Sequence, residues 1–124
     1  MLIISKILIA VVALEHLYFL WLEMFAWETK AKKVFKGSMA PDLFKPTKKM
    51  AANQGLYNGF LAAGLIWTFF IKEEIWRSNI AFFFLGCVLV AGIYGAYSVS
   101  RKIFFIQGLP ALIAILLMLL FGTA

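Results

Sequence analysis

An all-α polytopic membrane protein, with four transmembrane helices in an antiparallel bundle, is the fold class that three observations on this sequence predict. Of 124 residues, 64% are hydrophobic and 15% charged, with a mean hydropathy of +0.92, whereas roughly a quarter of the residues in soluble domains are charged. Thirteen Phe, four Trp and four Tyr are more than so small a core can hide, because small domains bury too little of their surface. The apolar residues also fall into four stretches, approximately 2–26, 50–71, 79–98 and 103–123, each close to the roughly 20 residues a helix needs to cross a bilayer. A single domain, 1–124, contains all four. Lipid offers backbone groups no hydrogen-bond partners, so helices are the expected spanning structure, and the period-two alternation of a β-barrel is absent.

The same numbers exclude other classes. A disordered chain, a disulfide scaffold and a nucleic-acid module all fit poorly. The net charge of +6 is no argument for nucleic acid, since basic residues also mark membrane surfaces. The lone Cys87 rules out an intramolecular disulfide and a cysteine-based zinc site.

The first stretch opens with Lys6 ahead of an apolar run, as a signal peptide would. It is too long, Glu15 and His16 interrupt it, and no clean Ala-x-Ala signal follows, so a retained helix is expected. The loop 27–49 carries Lys30, Lys32, Lys33, Lys36, Lys45, Lys48 and Lys49. Within it Trp27, Ala31, Val34 and Phe35 share a helical face, which reads equally as a segment lying on the inner leaflet and as a solvated loop that sets orientation. Pro41 and Pro46 stop that segment from running into the second span. The connections 72–78 and 99–102 are short and make spans two, three and four antiparallel neighbours. Counting Lys and Arg by side gives nine, with Arg101 and Lys102, against Lys6, Lys72 and Arg77; both basic loops are therefore expected in the cytoplasm and both termini outside. Gly55, Gly59 and Ala63, and Gly92, Ala96 and Ser100, recur every four residues as small faces for close helix packing. Pro110 leaves the carbonyl of Ile106 without its helical partner and predicts a kink.

Polar side chains inside the spans are the candidate functional residues, because each is costly in hydrocarbon unless paired. The first span holds Glu15, His16 and Glu23, the second Asn53, Gln54, Tyr57 and Asn58, the third Tyr94, Tyr97 and Ser98, and the fourth Gln107. His16 and Glu23 are two turns apart on one face, with Glu15 about 100° round from His16. At about 1.5 Å per residue nearly all of these fall in the inner half of their helices, while 2–14, 60–70, 80–90 and 112–121 are almost purely apolar. The expectation is a polar cavity between the helices, open to the cytoplasm and sealed outside. The amides, Tyr and Ser suit a network that holds helices together equally well, whereas two acids and an imidazole exceed what packing needs.

No Walker loop, dinucleotide fingerprint, His-Glu-x-x-His or nucleophile elbow is present. One His and two carboxylates on one helix make a weak metal site, so no metal is expected, and the sequence names no cofactor. Acid–base work by Glu15 and His16 is the more plausible chemistry. The leading expectation is binding or transport of a small amphipathic or lipid-like molecule, coupled to proton movement, with the bilayer as partner and a homodimer needed to build a path. The alternatives are an intramembrane isomerase or transferase using Glu15 and His16 as acid and base, and a structural subunit.

The segments Ala13-Leu14-Glu15-His16-Leu17-Tyr18, Glu23-Met24-Phe25, Asn53-Gln54-Gly55-Leu56-Tyr57-Asn58-Gly59, Gly92-Ile93-Tyr94-Gly95-Ala96 and Gln107-Gly108-Leu109-Pro110-Ala111 resemble a bacterial family of short integral membrane proteins of unknown function. The resemblance covers essentially the whole chain. It implies four membrane helices and a bacterial inner membrane, and it brings no activity.

Overall fold

The computed structural model describes residues 1–122; Thr123, the last residue of the fourth expected span, lies outside the described residues. Among the described residues five helices follow in order: α1 (Ile3–Phe25), the short α2 (Lys30–Val34), α3 (Lys48–Trp67), α4 (Glu74–Ser98) and α5 (Arg101–Phe121). Single 3-10 turns lie at Pro41–Leu43 and Thr68–Phe70. Among the described residues there is no sheet, only an isolated bridge between Lys36 and Met39.

Three helices, α1, α4 and α5, are long and apolar enough to cross a membrane. The second expected span is where this count differs from the four read above. Its helix α3 begins with Lys48 and Lys49 and carries Asn53, Gln54 and Asn58, which dilute its apolar content. The packing explains the dilution. A Cβ placed on Gly55 would come within 2.8 Å of Met24 Cγ and 3.0 Å of Glu23 Cβ, so Gly55 lies level with the last turn of α1. Gln54 is then level with Phe25, and Lys48 to Asn53 extends about 9 Å beyond it, still packed at the buried Ala51.

The main core is made by all four long helices: Ile9, Val12 and Ala13 of α1, Leu65 of α3, Ala81, Leu85 and Val88 of α4, and Ala111, Ala114 and Met118 of α5. The alanines set the scale, since small side chains let helix axes approach closely. α4 and α5 meet backbone to backbone. A Cβ on Gly92 would meet the Cα of Gly108 at 2.6 Å and its N at 2.7 Å, so only glycine fits there. Gly64 plays a similar part for α3 and α4, its missing side chain replaced by the ring of Phe84.

α5 is not a uniform helix. After one turn over Arg101–Ile103 it widens into a π-helical turn at Phe104–Gly108, and the N–H of Leu109 donates to the carbonyl of Phe104, five residues back. Pro110 has no N–H to return to Ile106, and the wider turn absorbs the defect as a π-bulge typically does.

The two ends of the bundle are finished differently. At one end the Arg77 guanidinium reaches Glu74 Oε2 at 2.8 Å and donates to the Ile71 carbonyl through Nε at 3.1 Å and Nη2 at 2.7 Å, while the Met1 ammonium meets Glu74 Oε1 at 3.1 Å. These contacts join the starts of α1 and α4 to the turn after α3. At the other end, residues 27–49 fold into a compact cap. Leu22, Ala31 and Phe44 form a second small core, with Phe19, Trp27, Phe35 and Met39 packed on it. Trp27 stacks obliquely on Phe44, ring centroids 4.9 Å apart, and its Nε1–H donates to Thr47 Oγ1 at 3.0 Å. The chain turns back through Gly37 at φ +90°.

Candidate functional site

His16 sits on α1 with no exposed surface. Its Nδ1–H donates to the Val12 carbonyl at 2.8 Å, which leaves Nε2 as the acceptor for the Gln107 amide of α5 at 3.0 Å. The ring of Phe19 packs edge-on at 5.3 Å. Gln107 reaches the imidazole because it lies within the π-helical turn, one residue before Gly108, whose lack of a side chain lets α4 press in behind it. Proline, wide turn, glycine contact and amide–imidazole bond form one local construction.

Glu23 and Asn58 make the second polar link, with Asn58 Nδ2–H donating to Glu23 Oε1 between α1 and α3. Glu23 is buried and Asn58 half-buried. Gly55 and Gly59, against Met24 and Leu20, bring the two helices close enough for this bond.

Glu15 is the exception. It is half-buried, and its Oε1 is shielded from solvent with no hydrogen-bond partner. A carboxyl oxygen closed off from water without a donor is costly, and the few such groups in a fold require an explanation.

The remaining candidates do not join these pairs. Asn53, Gln54, Tyr57, Tyr94 and Ser98 are exposed, Tyr57 at 57% and Tyr94 at 66%, and Tyr97 is more open still; Ser98 donates back to its own helix at the Tyr94 carbonyl. Asn53 and Gln54 lie off the face of α3 that buries Ala51 and Gly55, where an amide costs little. Ser98 ends α4. The expected single level shared by all four spans thus resolves into two separate bridges and an exposed rim. Among the described residues no three His, Cys, Asp or Glu side chains gather as metal ligands.

Two cavities among the described residues lie away from the polar residues. The larger, about 350 Å³, is an open groove lined by Trp67, Ile71, Lys72, Glu73, Trp76 and Ile80; the smaller, about 70 Å³, is bounded by Met1, Lys6, Ile9, Thr68, Phe69 and Arg77. Both belong to the end opposite the lysine-rich cap. Sequence reasoning did not single out that end, nor the Glu74–Arg77 pair; the acid followed by a base three residues later at a helix start was the available signal.

Fold and contacts together define a helical protein with three helices suited to a membrane and a polar seam joining α1 to its neighbours. The chain belongs to the family described as Protein of unknown function (DUF1304), whose profile matches residues 10–119. It is also 32% identical to the uncharacterized protein YpaA of Lactococcus lactis subsp. lactis (strain IL1403), over 94% of this chain and 97% of that protein. No solved structure matches it.

Proposed function

We propose that this is an inner-membrane protein in which α1, α3, α4 and α5 all lie in the bilayer, and that Glu15 binds a small amphipathic or lipid-like molecule entering from the bilayer. The span of α3 in this reading is the part beyond Gly55, about 25 Å with the following turn, roughly 5 Å short of the hydrocarbon thickness, a mismatch that local thinning of the bilayer accommodates at modest cost. The nine-to-three lysine and arginine asymmetry supports a cytoplasmic cap and external termini.

The observation that carries the ligand reading is the unpartnered Glu15 oxygen midway along α1, beside an imidazole whose two nitrogens are both engaged. A molecule with a hydrogen-bond donor or a positive charge would complete the acid and could exchange a proton with it. The same geometry argues against acid–base catalysis by Glu15 and His16 as a pair, because the ring as held by Val12 and Gln107 has no free nitrogen to offer a substrate.

Native mass spectrometry of the protein purified in mild detergent tests the reading. The wild-type chain should retain a small co-purifying amphiphile that Glu15→Leu loses and Glu15→Gln retains weakly, with fold intact by circular dichroism. Identical retention in all three would refute it and leave Glu15 as a packing residue. In that case Glu15→Leu should raise stability by about 1 kcal/mol, the penalty for an unpaired buried polar group being removed.

A further inference from the structure

The cap 27–49 is built in a way that a mere connection between spans does not require. It has its own apolar core of Leu22, Ala31 and Phe44, a latch from Trp27 to Thr47, and a helical turn pinned by Phe35 N–H to the Ala31 carbonyl at 2.8 Å. On this scaffold all seven lysines are exposed. The cap's two acids offset little of that charge: Glu28 lies 3.6 Å from Lys48, and Asp42 sits in the 3-10 turn. Between the lysines the apolar side chains of Val34 and Leu43 are also open, at 45% and 46% exposure. Arg101 and Lys102, exposed at the start of α5, add two charges at the same end.

From these features we infer that the cap is a preformed docking platform for anionic phospholipid head groups of the leaflet it faces. The inference rests on the membrane orientation proposed above and is independent of the Glu15 site. Lysines held on a folded surface lose less freedom on binding than lysines on a loose tail. Their ammonium groups are compact point charges suited to a lipid phosphate, and Val34 and Leu43 can enter the head-group boundary while the charges stay in water. The partner is a lipid and not free phosphate, because the apolar side chains interleaved with the charges have no use for an inorganic anion.

The test uses the full chain in detergent micelles, titrated with palmitoyl-oleoyl phosphatidylglycerol or the matching phosphatidylcholine and read by native mass spectrometry. Wild type should bind the anionic lipid at least tenfold more tightly than the zwitterionic one. The triple variant Lys32→Gln/Lys33→Gln/Lys36→Gln, at three exposed positions, should lose that selectivity, at about fivefold per lysine removed, with the phosphatidylcholine affinity unchanged. Inorganic phosphate at millimolar concentration should not compete. Equal affinity for both lipids, undiminished selectivity in the variant, or full competition by phosphate would each overturn the platform. Carbonate washing of membranes keeps this separate from the orientation: protein released into the wash refutes the membrane placement itself, whereas protein retained without lipid selectivity refutes the platform alone.

Discussion

On α1, His16 is fully buried and both ring nitrogens are occupied, and Glu23 is buried against Asn58. At the start of α3, Asn53 and Gln54 carry the same hydrogen-bonding capacity and are exposed. The two regions differ in the helix face they occupy. His16 and Glu23 lie where neighbouring helices surround α1, so their polar atoms are paired across it. Asn53 and Gln54 lie off the face of α3 that buries Ala51 and Gly55, where no partner is needed. A polar residue in an apolar stretch therefore carries information only once the face it occupies relative to its packing partner is known.

The contrast can be broken most severely at the glycine contact that sets depth and register for α5. Gly92→Val should cost more than about 3 kcal/mol, above the usual range for overpacking, because the atoms it meets are the backbone of Gly108. Chemical unfolding in detergent should show the midpoint collapse, or the protein should fail to accumulate. A smaller loss is expected from Asn58→Leu, which strands the buried Glu23 carboxyl at about 1–3 kcal/mol. A double-mutant cycle with Glu23→Leu should return a coupling near 0.6 kcal/mol and no more than about 2 kcal/mol, as for other interhelical polar pairs in membranes. Gln107→Leu leaves His16 Nε2 without its donor and should cost about 1 kcal/mol. The same change made at Gln54, on the exposed rim, should stay within about 0.5 kcal/mol. If Gln54→Leu proved as damaging as Gln107→Leu, the distinction drawn between the two regions would fail.

Much of the helical framework was legible in the residues. The expected stretch 2–26 corresponds to Ile3–Phe25, and 103–123 to Arg101–Phe121 within the described residues, because apolar length alone sets such helices. The stretch 79–98 begins earlier, at Glu74, since Glu74 and Arg77 satisfy each other within the first turn and so extend the helix beyond its apolar part. The loop 27–49 was less legible: its apolar face was visible, but that Phe44, thirteen residues beyond Ala31, would close a core over Leu22 depends on a turn at Gly37 that no periodicity reports. Of the candidate site, the importance of Glu15, His16 and Glu23 as costly residues could be read directly. Which residues they would meet could not, because Gln107 reaches His16 through a widened turn that shifts its direction, and Pro110 signals the defect without giving its geometry.

That widened turn in α5 has a mechanical consequence. A π-turn inserts one residue of angular slack, so the stretch leading in from Ser100 and the stretch carrying Ala111, Ala114 and Met118 need not share a common helical phase. Gln107 on His16 and Gly108 on Gly92 pin the end of the turn, so the buried alanines take their phase from these contacts and not from the stretch near the basic loop. The joint separates the helical phase of the exposed start of α5 from that of the buried seam.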